Sequence, residues 1–188
     1  LLGQRCPEPG ALGDHLDGVA RGRHLVTHPS AGLPAARVDG AFEPVEHIDQ
    51  PDWWSEGGDM TPDDFGLARA RQLEEKILQL GPQNVAAFIG EPIQGAGGVI
   101  VPPRTYWPEI QRICDKYGIL LIIDEVKTGF RVARGGVQEL FGVKADLCTF
   151  AKAMGNGYPI SVCCGREDIM RKFGNGVVHG GTFTCHSV

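Results

Sequence analysis

Missing from this sequence is any apolar run close to the roughly 18–20 residues that a membrane-spanning helix needs. Missing too is a block of basic charge. The 18 Lys and Arg stand against 23 Asp and Glu, for a formal charge of -5, which argues against nucleic acid or an anionic membrane as the main partner. None of the six cysteines makes a CxxC pair. Cys163 and Cys164 are adjacent, while Cys114 and Cys148 sit in apolar patterns where a thiol acts as a small hydrophobe. No HExxH motif occurs. A disulfide framework and a zinc site are therefore not expected, and a reduced, cytoplasmic protein is. The start, LLGQRCPEPG, shows no charged segment followed by an apolar one, so a secretory signal is not expected either. It also lacks an initiator Met, as a piece of a longer chain would.

What the sequence does have is enough length, at 188 residues, for one sizeable core, and 27 glycines for tight loops. Residues 1–47 are rich in Gly, Pro, Arg and His without a sustained period and are expected to be irregular; residues 48–188 are expected to form the ordered domain. Thr61-Pro62-Asp63-Asp64 predicts a helix start, with a capping hydroxyl, a first-turn proline and early acids, running to about Leu80. NVAAFIGEP (84–92) reads as a buried strand ending on Glu91 and the turn GAGG. Thr105 is expected to cap a helix with Trp107, Ile110, Ile113, Cys114 and Tyr117 on its apolar face and Gly118 as its terminator. Five aliphatic residues, 119–123, then read as a buried strand. A short helix is expected near 136–141, strands at 146–150 and within 159–165, and a helix at 166–173. Strands alternating with helices predict a three-layer α/β fold, a mostly parallel sheet with helices on both faces.

Polar groups gather at strand ends, where open α/β sheets bind ligands. These are Glu91, Asp124 with Glu125, and Lys152 two residues past DLCTF. A Lys packed among apolar groups loses solvation of its ammonium, and the free amine is then a nucleophile for carbonyls; a Lys that reaches out to solvent fits the same pattern. Asp124 reads equally as a ligand-binding acid or as a cap of the following turn. Glu125 reads as an outward or structural group, because strand neighbours point to opposite faces. GAGG (95–98) could cradle a phosphate but lacks GK[ST] or GxGxxG spacing. For GNG (155–157) a plain turn is favoured.

FIGEPIQGAGGVIVPPRTYWPEIQRICDKYGILLIIDEVKTGFR, then GVKADLCTFAKAMGNGYPISV, then HGGTFT, resemble the class III (omega) aminotransferases, a pyridoxal-phosphate family. The likeness runs from about Ile48 to Thr184. It implies a fold type I large domain, incomplete here, with pyridoxal 5'-phosphate as cofactor. Small-molecule amine and keto acid substrates and a homodimer in the full-length protein are implied as well. Lys152 would be the lysine that carries the cofactor and shuttles the substrate proton. Asp124 would hold the pyridine nitrogen protonated so that the ring accepts electrons. Val126 would pack on the ring face, Thr182 would reach a partner's cofactor phosphate, and Glu91 would support the site from behind.

Some relatives have EPIQGE where this chain has Ala96. That favours transfer from an amine or omega-amino acid to a keto acid such as pyruvate over an ornithine or 4-aminobutyrate transaminase. DEVKTGFRVARGG resembles glutamate-1-semialdehyde aminomutase, so a mutase stays open, as does a truncated non-catalytic α/β fragment. Lys127 departs from both groups. No upstream phosphate cup and no C-terminal small domain are evident, so a fragment of the large domain is expected.

Overall fold

The structure is a computed structural model that describes residues 24–27, 45–173 and 175. Six strands form one sheet: β1 (His24–Thr27), β2 (Val45–His47), β3 (Val85–Gly90), β4 (Leu120–Asp124), β5 (Leu147–Phe150) and β6 (Val162–Gly165), in the order β2-β1-β3-β4-β5-β6. All neighbours are parallel except β5 and β6. The helices are α1 (Trp53–Glu56), α2 (Pro62–Leu80), α3 (Tyr106–Tyr117), α4 (Val137–Phe141) and α5 (Glu167–Met170).

Alternation along the strands divides the core between the two faces of the sheet. Leu121 and Ile123 of β4, with Cys148 and Phe150 of β5, join the larger cluster, into which α2 sends Ala70, Leu73 and Ile77 and α3 sends Trp107, Ile110 and Ile113. Leu120, Ile122 and Leu147 point the other way, to a smaller cluster completed by Ala87 and by Ile169 of α5. Helices therefore cover both faces, as the alternation of elements predicts. Among the described residues no helix is long and apolar enough to cross a membrane.

The helix signals are realised unevenly. Thr61 caps α2 as expected: its hydroxyl accepts from Asp64 N at 3.2 Å, with Pro62 in the first turn. Gly118 ends α3 at φ 65°. Thr105 does not cap α3. Its backbone is already helical, at φ -80° and ψ -17°, whereas a cap needs an extended residue. Its hydroxyl instead donates to Asp63 O at 2.7 Å and clasps the first turn of α2. The helix stands without the cap because Tyr106, Trp107, Ile110 and Ile113 are fully buried. At about 1.5–3 kcal/mol for each large side chain, burial far exceeds the ~1 kcal/mol of a cap.

Other expectations shift. The helix read at 166–173 is only the four residues of α5, with Ile169 as its one buried anchor. Within residues 1–47, read as irregular, His24–Thr27 lies between β2 and β3 in the sheet and Val45–His47 forms its edge. A four-residue strand leaves too short a pattern to stand out among glycines and prolines. The remainder of that segment lies outside the described residues.

Candidate active site

Asp124 is the last residue of β4, beyond four aliphatic residues that bury the strand. It is paired in register with Thr149 of β5. Its Oδ1 accepts from Val126 N at 2.8 Å and from Thr149 Oγ1 at 3.3 Å. One carboxylate oxygen thus caps the turn, the second of the two roles that the sequence allows it. Oδ2 has no hydrogen bond among the described residues. Both readings of this acid are compatible, one per oxygen. Pairing continues one step further, with Glu125 N donating to Thr149 O at 3.0 Å.

Lys152 opens the 3-10 turn Lys152–Met154 two residues past β5. Its backbone sits at φ 44°, a left-handed conformation uncommon for side-chain-bearing residues and frequent at functional sites. Its carbonyl accepts from Gly155 N at 3.0 Å and Asn156 N at 3.1 Å, which closes the turn. The side chain is exposed, and among the described residues its amine has no hydrogen bond or ion pair. Among the described residues none encloses it as its apolar neighbours in sequence lead one to expect. Lys152 lies past the last paired residue of β5, where no adjoining strand among the described residues continues beside it.

Glu91 follows β3 directly. Its Oε2 accepts from Gly95 N at 3.1 Å and stands 3.8 Å from Lys127 Nζ. The stem of Lys127 lies across Gly95, in the space a Cβ would fill, so the exits of β3 and β4 are tied together. Val126 is partly buried at the start of the turn after β4. Thr182 lies outside the described residues.

The phosphate-cradle reading of GAGG loses ground. Gly98 N and Val99 N both donate to Gly95 O, at 3.3 and 3.2 Å, and Gly95 N is taken by Glu91. Those amides are engaged within the turn. GNG is a plain turn, with Asn156 and Gly157 at positive φ.

Sequence reasoning missed Thr149 and the Glu91–Lys127 link. A polar β-branched residue in the otherwise apolar LCTF, one residue from the strand end, was the available signal for the first. The second joins residues 36 positions apart by number and left none. Two surface clefts, one beside His47, Gln72 and Lys76 and one between Asp63, Arg104 and Glu109, include neither Asp124 nor Lys152. Among the described residues no group of His, Cys, Asp or Glu could hold a metal ion.

Comparison with known proteins adds a family. The aminotransferase class-III family model matches residues 53–188. The chain belongs to that family. A putrescine–pyruvate aminotransferase of Pseudomonas aeruginosa is 45% identical over 183 residues, which cover 95% of this chain and 39% of that protein. A glutamate-1-semialdehyde 2,1-aminomutase of Myxococcus xanthus is 49% identical over 98 residues, 52% of this chain and 23% of that one. Among solved structures, an amine transaminase from an uncultivated Pseudomonas species in its PLP-bound form superposes with a TM-score of 0.77. It is 31% identical, over 93% of this chain and 45% of that one. This class-III chain spans about two fifths of the length of the aminotransferase it matches.

Proposed function

We propose that the protein to which this chain belongs transfers an amino group from an amine or omega-amino acid to a keto acid such as pyruvate. It would use pyridoxal 5'-phosphate, as a cytoplasmic homodimer. One observation carries the reading. Asp124 and Lys152 stand at the carboxyl ends of adjacent parallel strands, on the edge of the sheet where such folds bind ligands.

The residues present suit the cofactor. A carboxylate with one oxygen open to a new donor suits a protonated ring nitrogen, and an amine with no partner among the described residues suits an aldehyde. When bound, pyridoxal phosphate supplies an electron sink for a carbanion at the substrate α-carbon. Asp124 Oδ2 would hold the proton on the ring nitrogen, with Thr149 Oγ1 and Val126 N fixing the carboxylate through Oδ1. Lys152 Nζ would take the proton from the substrate α-carbon, a positioned general base. Val126 would pack against the ring, and Glu91 would brace the turn through Gly95 N and Lys127. Thr182 would serve the phosphate of a second subunit, and that subunit would exclude water from the exposed Lys152.

Borohydride treatment of the chain mixed with pyridoxal phosphate tests this reading. The expected result is a visible absorbance band and a reduced pyridoxyl mass on the peptide holding Lys152, both lost in Lys152→Ala. A folded chain that shows neither favours the truncated, non-catalytic fragment. Bleaching by an amine with regeneration by pyruvate then marks a transaminase. The 49% identity to an aminomutase keeps a mutase as the second reading, which predicts isomerisation of an amino aldehyde with no net loss of keto acid.

A further inference from the structure

Antiparallel pairing of β5 with β6 sets Cys148 directly opposite Cys164. Residues so opposed point to the same face, with Cα and Cβ separations each of about 4.5–5.5 Å. A disulfide needs a Cα separation of about 4.4–6.8 Å and a Cβ separation of about 3.5–4.5 Å. The backbone spacing already fits, and the Cβ atoms must close by about an ångström. Among the described residues β6 is bonded on one side only, so it can yield that distance. Both thiols are free. Cys148 is buried in the larger core cluster, where its Sγ accepts from Gln138 Nε2 at 3.3 Å, and Cys164 is exposed. Cys163 stands opposite Thr149 and therefore on the other face.

We propose that Cys148 and Cys164 form a reversible cross-strand disulfide, a modification site that ties β6 to the strand leading into Lys152. The oxidant is a small-molecule disulfide. The exposed Cys164 thiolate attacks one of its sulfurs, forming a mixed disulfide and releasing one small thiol. Cys148 gives up its proton and attacks Cys164 Sγ, and the second small thiol leaves. Two protein thiols are oxidised by two electrons, and the reagent is reduced to two thiols. Burial pushes the Cys148 thiol up to about 12, which makes Cys164 the point of entry. Closure moves Cys148 Sγ away from Gln138 and pins the chain on both sides of the Lys152 turn. In a reducing compartment such a pair would be transient and redox-sensing rather than structural.

The test incubates the full chain in glutathione buffers of rising oxidised fraction, then alkylates it and maps peptides by mass. The expected product is a link between residues 148 and 164, two hydrogens lighter and reversed by dithiothreitol. It should be retained in Cys163→Ser and absent in Cys164→Ser, whose exposed position spares the fold. Its urea midpoint should lie above that of the reduced chain. Glutathione resting on Cys164 while Cys148 still alkylates after denaturation would overturn the proposal. So would a link from Cys164 to Cys163, Cys6 or Cys185.

Discussion

Glu125 is fully buried, one residue past an acid that is only partly so. Its carboxylate accepts from Gln138 N at 2.9 Å and from Thr128 Oγ1, and so binds the start of α4 to the turn after β4. The space it fills is the space a Cβ on Gly136 would need, and Gly136 itself sits at φ 77°. Gly136→Ala should therefore cost about 1–3 kcal/mol from backbone strain alone, with a further penalty for the displaced carboxylate, read as a fall in urea midpoint. Glu125→Ala leaves Gln138 N unpaired but makes room for the methyl group. The double variant should be less destabilised than the sum of the two, since the residues share one space. Additive losses would show that the carboxylate is not what Gly136 accommodates.

At the scale of elements, α2 and α3 are joined on their exposed side by Glu74, which accepts from Lys116 Nζ at 2.6 Å and Tyr117 OH at 2.8 Å. The Lys116 bond first, and the Tyr117 bond second, hold the Glu74 carboxyl below the usual carboxylate range. A carboxyl depressed in the folded state adds stability that is complete above its unfolded pKa. That stability is lost as pH falls through the folded value. Glu74→Gln should thus be less stable than the parent at neutral pH, and the gap should close on acidification toward pH ~3. Urea melts across that range check it; a gap of constant size means the charge plays no part. The same pair of helices explains the fate of Thr105, whose hydroxyl joins α3 to α2 rather than capping its own helix.

The whole molecule sets the carboxyl ends of β3, β4 and β5 side by side, with Glu91, Asp124 and Lys152 each just at or past the last paired residue. If one cofactor joins the second and third of these, it binds the folded chain alone and stabilises it by mass action. At a pyridoxal phosphate concentration 100 times Kd the gain is about 2.7 kcal/mol. A rise in melting temperature should follow, reduced in Asp124→Ala and in Lys152→Ala. An equal rise in both variants would place binding elsewhere, for example on surface lysines.

Local pattern by itself determined the long helices, the aliphatic strands and the acid and amine at their tips. Periodicity and strand-end polarity are written over a few neighbouring residues, as in 119–124. Tertiary packing decided the rest. It turned Thr105 from cap to clasp, drew His24–Thr27 into the sheet, left Lys152 exposed, and set Cys148 across from Cys164. Each of those outcomes depends on which distant segment arrives alongside, and strand register and helix–helix contact carry no short-range signature in the chain.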